Sequence, residues 1–215
     1  MTGDRREGVV GVLLAGGLAR RMGGGDKCLR TLGPRTILDY VVERARAQTA
    51  TLVLNANGDP ARFDAYALPV AADVIEGAAG PLAGVLTGME WARANRPDCP
   101  WIATFATDTP FFPLDFVPRS LERIEEHGAD MARAASGGRA HPVFGLWPVR
   151  LRDDLDAAIR KDGVRKVDIW TARYRLVEAE FATEPFDPFF NANRPEDLEE
   201  AARLAAKLGD SARAL

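Results

Sequence analysis

The chain has 215 residues, 47% of them hydrophobic, and a formal net charge of −3 at pH 7. That length suits one well-cored domain. The charge excludes a general attraction to nucleic acid or acidic membranes, so any anion must be recognised locally.

In chain order, "GVVGVLLA" (8–15) is a nearly unbroken apolar run rich in valine, the pattern of a strand buried on both faces. "TILDYVVERARAQ" (36–48) has helical spacing through Ile37, Tyr40, Val41 and Ala45. "TLVLN" (51–55) predicts a second strand; a polar segment follows, then "LPVAAD" (68–73) as a third. "PLAGVLTGMEWARAN" (81–95) suits a helix with proline in its first turn. "WIATFATD" (101–108) is another buried strand. "LDFVPRSLERIEEHG" (114–128) predicts a helix with Gly128 as its C-cap, although Pro118 should shift its start.

The second half is less regular. "ADMARAA" and "HPVFGLW" predict paired strands around the turn signal "SGGR". Helices are expected over 150–161 and 164–173, and a strand over 174–181. A last helix opens with "NRPEDL", where Asn193 and Glu196 make a capping box. Strands alternating with helices imply an α/β fold of three layers: a mostly parallel sheet with helices on both faces.

Cys28 and Cys99 have neither metal-type spacing nor a disulfide framework, which fits a reducing cytosol. No apolar run approaches membrane-spanning length. The opening "MTGDRREG" lacks the apolar core of a signal peptide. The expectation is a soluble, cytoplasmic protein with no membrane or nucleic-acid partner.

"LLAGGLARRMGGGDK" (13–27) follows the first strand with five glycines, two arginines and an Asp-Lys pair. It matches neither the dinucleotide fingerprint G-x-G-x-x-G nor a Walker loop with G-K-[ST]. The ingredients of a phosphate cradle remain: glycines let backbone N–H groups approach an anion, while Arg20, Arg21 and Lys27 supply charge. A solvated surface loop is the alternative. Lys27, at the end of such a loop, is expected to be exposed.

Asp108 ends a strand and precedes Thr109-Pro110. Ligands of open α/β sheets sit beyond the carboxyl ends of the strands, so Asp108 is placed to hold Mg²⁺ against phosphate oxygens. Asn55 and Asp73 follow predicted strands in the same sense, and Asn55 could read a base or ribose edge. Each of the three also suits a plain turn or cap; their coincidence at one sheet edge favours a site.

The loop resembles the signature of nucleotidyltransferases that activate sugars and cofactors, L-A-G-G…R-M-G…D-K. With "LVLNANGD", "AGPLAGVLTGM", "TDTPFFP", "HPVFGLW" and "FNANRPEDL", the chain is similar to the molybdenum cofactor guanylyltransferases from about Val9 to Leu198. It departs in detail: Ala19 stands where Ser is common, Thr107 where Cys is common, and "LGPRTI" replaces the usual Gly-Lys-Pro-Leu.

The resemblance implies transfer of GMP from GTP to the terminal phosphate of molybdenum-loaded molybdopterin, with pyrophosphate released and Mg²⁺ as cofactor. It implies that Leu14, Ala15, Gly16 and Gly17 line guanine and ribose, that Asn55 and Asp73 contact the nucleoside, and that Lys27 neutralises charge on the α-phosphate. Arg21 and Gly24 would lie near the phosphates or the acceptor, and Asp108 would hold the metal. His141, Arg165, Lys166, Asn191 and Asn193 are candidates for acceptor contacts; each has a structural alternative as strand entry, solvated helix face or cap.

The expected organisation is a single domain over 1–215, with a nucleotide-binding half (8–112) and an acceptor-binding half (113–208). A monomer is expected, with transient contacts to molybdopterin-delivering proteins. Two alternatives stay open: a related enzyme using CTP or UTP on another cofactor or a sugar phosphate, and a non-catalytic cofactor-binding module of the same fold.

Overall fold

A computed structural model of the chain describes residues 5–16, 26–75 and 80–192, and beyond them 196–197, 199–200 and 203–204. Its strands are β1 (Val9–Leu14), β2 (Thr31–Leu32), β3 (Arg35–Thr36), β4 (Thr51–Asn55), β5 (Val70–Ala71), β6 (Trp101–Ala106), β7 (Met131–Ser136), β8 (Arg139–Pro148) and β9 (Leu176–Phe181). Its helices are α1 (Ile37–Arg46), α2 (Pro81–Asn95), α3 (Phe116–His127), α4 (Arg152–Arg160) and α5 (Val167–Thr171). Seven strands form one sheet in the order β5-β4-β1-β6-β8-β7-β9, while β2 and β3 make a separate hairpin. β8 is antiparallel to both its neighbours; every other pairing in the large sheet is parallel.

Burial on both faces explains the apolar runs. In β1, Val9 and Leu13 join the core beneath α1 and α3, while Val10 and Val12 join the core beneath α2, α4 and α5. The expected three layers are therefore present. Aromatic rings dominate the first core: Phe105 of β6 lies 4.9 Å from Phe112 and 5.8 Å from Phe116. Such rings contribute the largest apolar area per residue to a core.

Local chemistry sets the element ends. Thr36 caps α1 in a capping box with Asp39. Pro81 occupies the first position of α2, where no N–H is needed. Pro118 fits inside α3 because it is only the third helical residue, where its missing N–H is again one of the unpaired donors. Gly128 caps the far end of α3 as expected. Gly137 and Gly138, at φ 54° and 74°, make the two-residue turn joining β7 to β8. Hairpin turns of this kind need positive φ at both positions, which glycine adopts without strain.

Some elements differ from expectation. β5 is only two residues long. α5 begins at Val167 because Lys166 before it is extended. The polar segment after β4 contains a 3-10 turn, Pro60–Tyr66, capped by the Asp59 side chain. The β2–β3 hairpin carried no sequence signal. Asn193 lies outside the described residues, although the six described beyond it are helical. No helix among the described residues is long and apolar enough to cross a membrane.

Candidate functional site

Because β1, β4, β5 and β6 are parallel, their carboxyl ends share one edge of the sheet. The chain leaves β1 through Ala15, whose N–H donates to the Asn55 carbonyl (2.9 Å), and then through the exposed Gly16. Gly17, Arg20, Arg21 and Gly24 lie outside the described residues. The chain returns at Asp26, whose carboxylate pairs with Arg62 Nε at 2.6 Å. Lys27 follows at the start of a short 3-10 turn.

Lys27 Nζ donates to Asp108 Oδ2 at 2.7 Å. The lysine is 9% exposed, against the expectation of an exposed loop end, because this ion pair and the turn draw it against the sheet edge. Buried lysines need a paired anion, and Asp108 supplies one from 81 positions away. The Thr107 hydroxyl donates to the Leu14 carbonyl (3.0 Å), tying the ends of β6 and β1 together.

A second group of polar residues faces the first across the edge. Asn55 Nδ2 donates to the Ala71 carbonyl (3.1 Å) and to Asp73 Oδ1 (2.9 Å). Asn57 Nδ2 donates to Asp73 Oδ2 (2.8 Å), and the Asp73 N–H donates back to Asn57 Oδ1 (2.8 Å). Both Asp73 oxygens are thus held by amides, which fixes the carboxylate's orientation. Gly84, in the first turns of α2, lets that helix approach closely: a Cβ there would sit 2.5 Å from both Asn55 Oδ1 and Leu14 Cδ2.

Between these groups lies a cleft of about 380 Å³, within the size range of small-molecule sites. Leu14, Gly16, Lys27, Asn55, Asp73 and Asp108 all line it, as do Asn57, Gly80, Pro81, Gly84 and Thr107. The amino end of α2 opens on the same space, and a helix N-terminus favours anions. A cationic side chain, a carboxylate and a helix dipole therefore converge on one concave surface. Another cavity, of about 320 Å³, lies at the opposite end of β6, where Pro97, Pro100, Trp101 and Pro148 make it mostly apolar.

The remaining sequence candidates have distinct places. Asn191 accepts from the Thr109 hydroxyl at 2.5 Å, and the next N–H, of Ala192, donates to the Asp108 carbonyl at 2.9 Å. Arg165 donates to the Ile159 and Val164 carbonyls (2.9 and 3.0 Å). Its own carbonyl lies 3.5 Å from where a Gly80 Cβ would be, so this loop borders the cleft. Lys166 is exposed. The His141 ring stacks on Phe189 at 4.3 Å, and Nε2 lies 2.7 Å from the Ser136 hydroxyl. Burial lowers the His141 pKa below that of a free imidazole.

Sequence reasoning missed Asn57, Thr109, Arg62 and Gly84. Asn57 had a signal, since "NAN" puts two amides two residues apart at a strand end. Thr109 and Arg62 act through partners distant in the chain.

Among the described residues, no three His, Cys, Asp or Glu side chains stand together as a metal cage. A divalent cation at this edge would need ligands from a substrate. Mg²⁺ suits that arrangement, being bound mostly by one or two carboxylates with phosphates and water. Asp108, with a side chain 30% exposed to the cleft, fits the part.

Comparison with known proteins agrees with this architecture. Residues 11–174 match the MobA-like NTP transferase domain. A molybdenum cofactor guanylyltransferase of Rhodopseudomonas palustris (strain BisB5) is 54% identical, with 91% of this chain and 93% of the relative covered. Molybdopterin-guanine dinucleotide biosynthesis protein A from Archaeoglobus fulgidus shares the fold, with a TM-score of 0.70 at 22% identity over 92% of this chain and 99% of that one. A Mycobacterium tuberculosis protein crystallised with manganese also shares it, with a TM-score of 0.63 at 19% identity over 91% of this chain and 97% of that one. The chain belongs to the MobA-like NTP transferase family, among the molybdenum cofactor guanylyltransferases.

Proposed function

We propose that the chain transfers GMP from GTP to the terminal phosphate of molybdenum-loaded molybdopterin. An acceptor phosphate oxygen forms a bond to the α-phosphorus of GTP. The bond from that phosphorus to the β-phosphate oxygen breaks, and pyrophosphate leaves with the electron pair. No protein nucleophile is required, so the protein's contribution is alignment and charge neutralisation. The observation that carries this reading is the cleft in which Lys27 and Asp108 meet the amino end of α2, in a chain 54% identical to a molybdenum cofactor guanylyltransferase.

In this reading, Leu14, Ala15, Gly16 and Gly17 line the nucleoside, with Asn55 and Asp73 against it. Lys27 exchanges its Asp108 partner for the α-phosphate, and Arg21 and Gly24 serve the phosphates or the acceptor. Asp108 holds Mg²⁺; the manganese in the mycobacterial neighbour supports a divalent cation in this fold. When bound, the metal would supply Lewis-acid neutralisation of phosphate charge. Arg165, Lys166, Asn191 and Asn193 come from the half that receives the acceptor, and His141 is placed in that half too. The protein works in the cytoplasm as a monomer.

The test is pyrophosphate release from GTP in the presence of Mg²⁺ and molybdenum-loaded molybdopterin, run beside CTP and UTP. Turnover with GTP alone among the three is expected. Preference for CTP or UTP would make it a different nucleotidyltransferase, and binding without pyrophosphate would make it a carrier.

A further inference from the structure

The segment that brings Asn191 to the Asp108–Thr109 turn is fastened at its other end by side chains that do not line the cleft. Asp187 Oδ1 accepts from the Ser136 hydroxyl (2.9 Å) and from the Phe189 N–H (3.0 Å). A serine hydroxyl has one proton. With that proton given to Asp187, the 2.7 Å contact between Ser136 Oγ and His141 Nε2 requires His141 to be the donor. The order is therefore His141 N–H to Ser136 O–H to the Asp187 carboxylate. Ser136 is 1% exposed, and buried networks of this kind hold their members in one arrangement when every group is satisfied.

Packing adds a second fastening. The Phe189 ring lies flat against His141 (centroids 4.3 Å, 21° between planes) and edge-on to Phe144 and Phe181. Two residues on, Asn191 accepts from Thr109, and the Ala192 N–H donates to the Asp108 carbonyl. Seen along the chain, 187–192 is a strap. One end is locked to the β7–β8 hairpin, and the other holds the Asp108–Thr109 turn by its backbone and its threonine hydroxyl.

We propose that Ser136, His141, Asp187 and Phe189 are positioning residues for the metal–nucleotide site: they set Asn191 and thereby the orientation of the Asp108 carboxylate. The inference rests on the reading of Asp108 as the residue that holds the divalent cation. Groups behind a metal ligand govern affinity by fixing its direction, and here the fixing passes through a strap rather than a direct contact. The consequence is specific: loosening the far end should weaken cation binding without touching any group in the cleft.

The experiment measures Mn²⁺ affinity by electron paramagnetic resonance with a non-hydrolysable GTP analogue present. It uses the full chain, Ser136→Ala, Asn191→Ala and the double variant, with thermal melting of each. Ser136→Ala should bind Mn²⁺ about tenfold more weakly while keeping a cooperative melt. In the Asn191→Ala background, where the Ala192 N–H still ties the strap to Asp108 but the side-chain link to Thr109 is gone, the same change should cost clearly less. Ser136→Thr, which keeps the hydroxyl, should restore much of the affinity. Unchanged Mn²⁺ affinity in a folded Ser136→Ala protein, or equal losses in both backgrounds, would reduce the strap to a packing feature and overturn the inference. If the unsubstituted protein with the analogue binds no Mn²⁺, the assignment of Asp108 falls and this inference falls with it. If Ser136→Ala does not fold, Asp187→Ala loosens the same end by removing the acceptor of the Ser136 hydroxyl and the Phe189 N–H, and it must weaken Mn²⁺ binding for the inference to stand.

Discussion

The carboxyl edge of the sheet treats polar groups in two ways. At the β1–β4–β6 end, Lys27, Asp108, Asn55 and Asp73 pair with one another around an open cleft. At the β7–β8 end, Ser136, His141 and Asp187 also pair, with Phe189 stacked on the His141 ring and packed edge-on against Phe144 and Phe181. An ion pair beside a cleft can trade partners with an incoming anion or cation at small cost, since the ligand replaces what is lost. A network centred on a buried hydroxyl, with a ring stacked on its histidine and outside the cleft lining, holds shape instead. The contrast assigns exchange to one end and rigidity to the other.

Lys27→Ala breaks the exchanging end most severely. Turnover should fall by two to three orders of magnitude, the cost of about 3–4 kcal/mol seen when one charge-stabilising donor is removed. Lys27→Met keeps the buried stem and should melt near the unsubstituted protein while remaining as inactive. Steady-state rates with melting curves check both, and near-normal turnover in either would remove Lys27 from the α-phosphate.

Asp108→Asn sharpens the same end. Asparagine keeps the turn but cannot offer an anion to a cation. The apparent Mg²⁺ requirement should rise by at least the roughly 10–100-fold that losing even an outer-shell partner costs. A magnesium titration of pyrophosphate release reads this directly; an unchanged curve would leave Asp108 as a turn residue.

Gly84→Ala tests how tightly the nucleoside side is built. The new methyl group would meet Asn55 Oδ1 and Leu14 Cδ2 at 2.5 Å, and overpacking of this sort costs about 1–3 kcal/mol. Both melting temperature and GTP affinity should drop, because Asn55 must move and Asp73 with it. Calorimetric titration with GTP checks the second effect.

Removing Arg165 and Lys166 together, as Arg165→Ala with Lys166→Ala, should weaken acceptor binding several-fold and leave GTP affinity nearly unchanged, since screening confines exposed charges to about 8 Å. The Arg165 carbonyl borders Gly80, so loss of GTP affinity instead would move this loop to the phosphate side. Affinities for both ligands, measured on one preparation, separate the outcomes.

How much of this was legible follows from range. β1, β4, β6 and α2 announced themselves because burial on both faces, or on a long helix, writes an unbroken apolar signature. Asp108, Asn55 and Asp73 were legible because each ends or follows a strand of one parallel set. The burial of Lys27 was not, since it depends on a carboxylate 81 positions on. Nor was the strap, whose Ser136–Asp187 bond spans 51 positions. The β2–β3 hairpin is too short to show any period.

The smallest expected effect lies at the rigid end and concerns pH. Burial lowers the His141 pKa, and Arg139 pushes it the same way, while Asp187 and Glu180 oppose them. In the unfolded chain the imidazole titrates near its ordinary value of about 6.5. The unfolded state therefore binds the proton first as pH falls, and folding stability declines with it. The contribution is fully present above the ordinary value and is lost as pH drops through the lower folded one. His141→Phe keeps a flat ring against Phe189 but has nothing to titrate. Its melting temperature should start lower at pH 8, having lost the bond to Ser136, and should fall less steeply than that of the unsubstituted protein between pH 7 and pH 5. Parallel slopes would mean that His141 takes its proton as readily folded as unfolded, and that this end of the sheet is more open to water than the ring stacked on His141 implies.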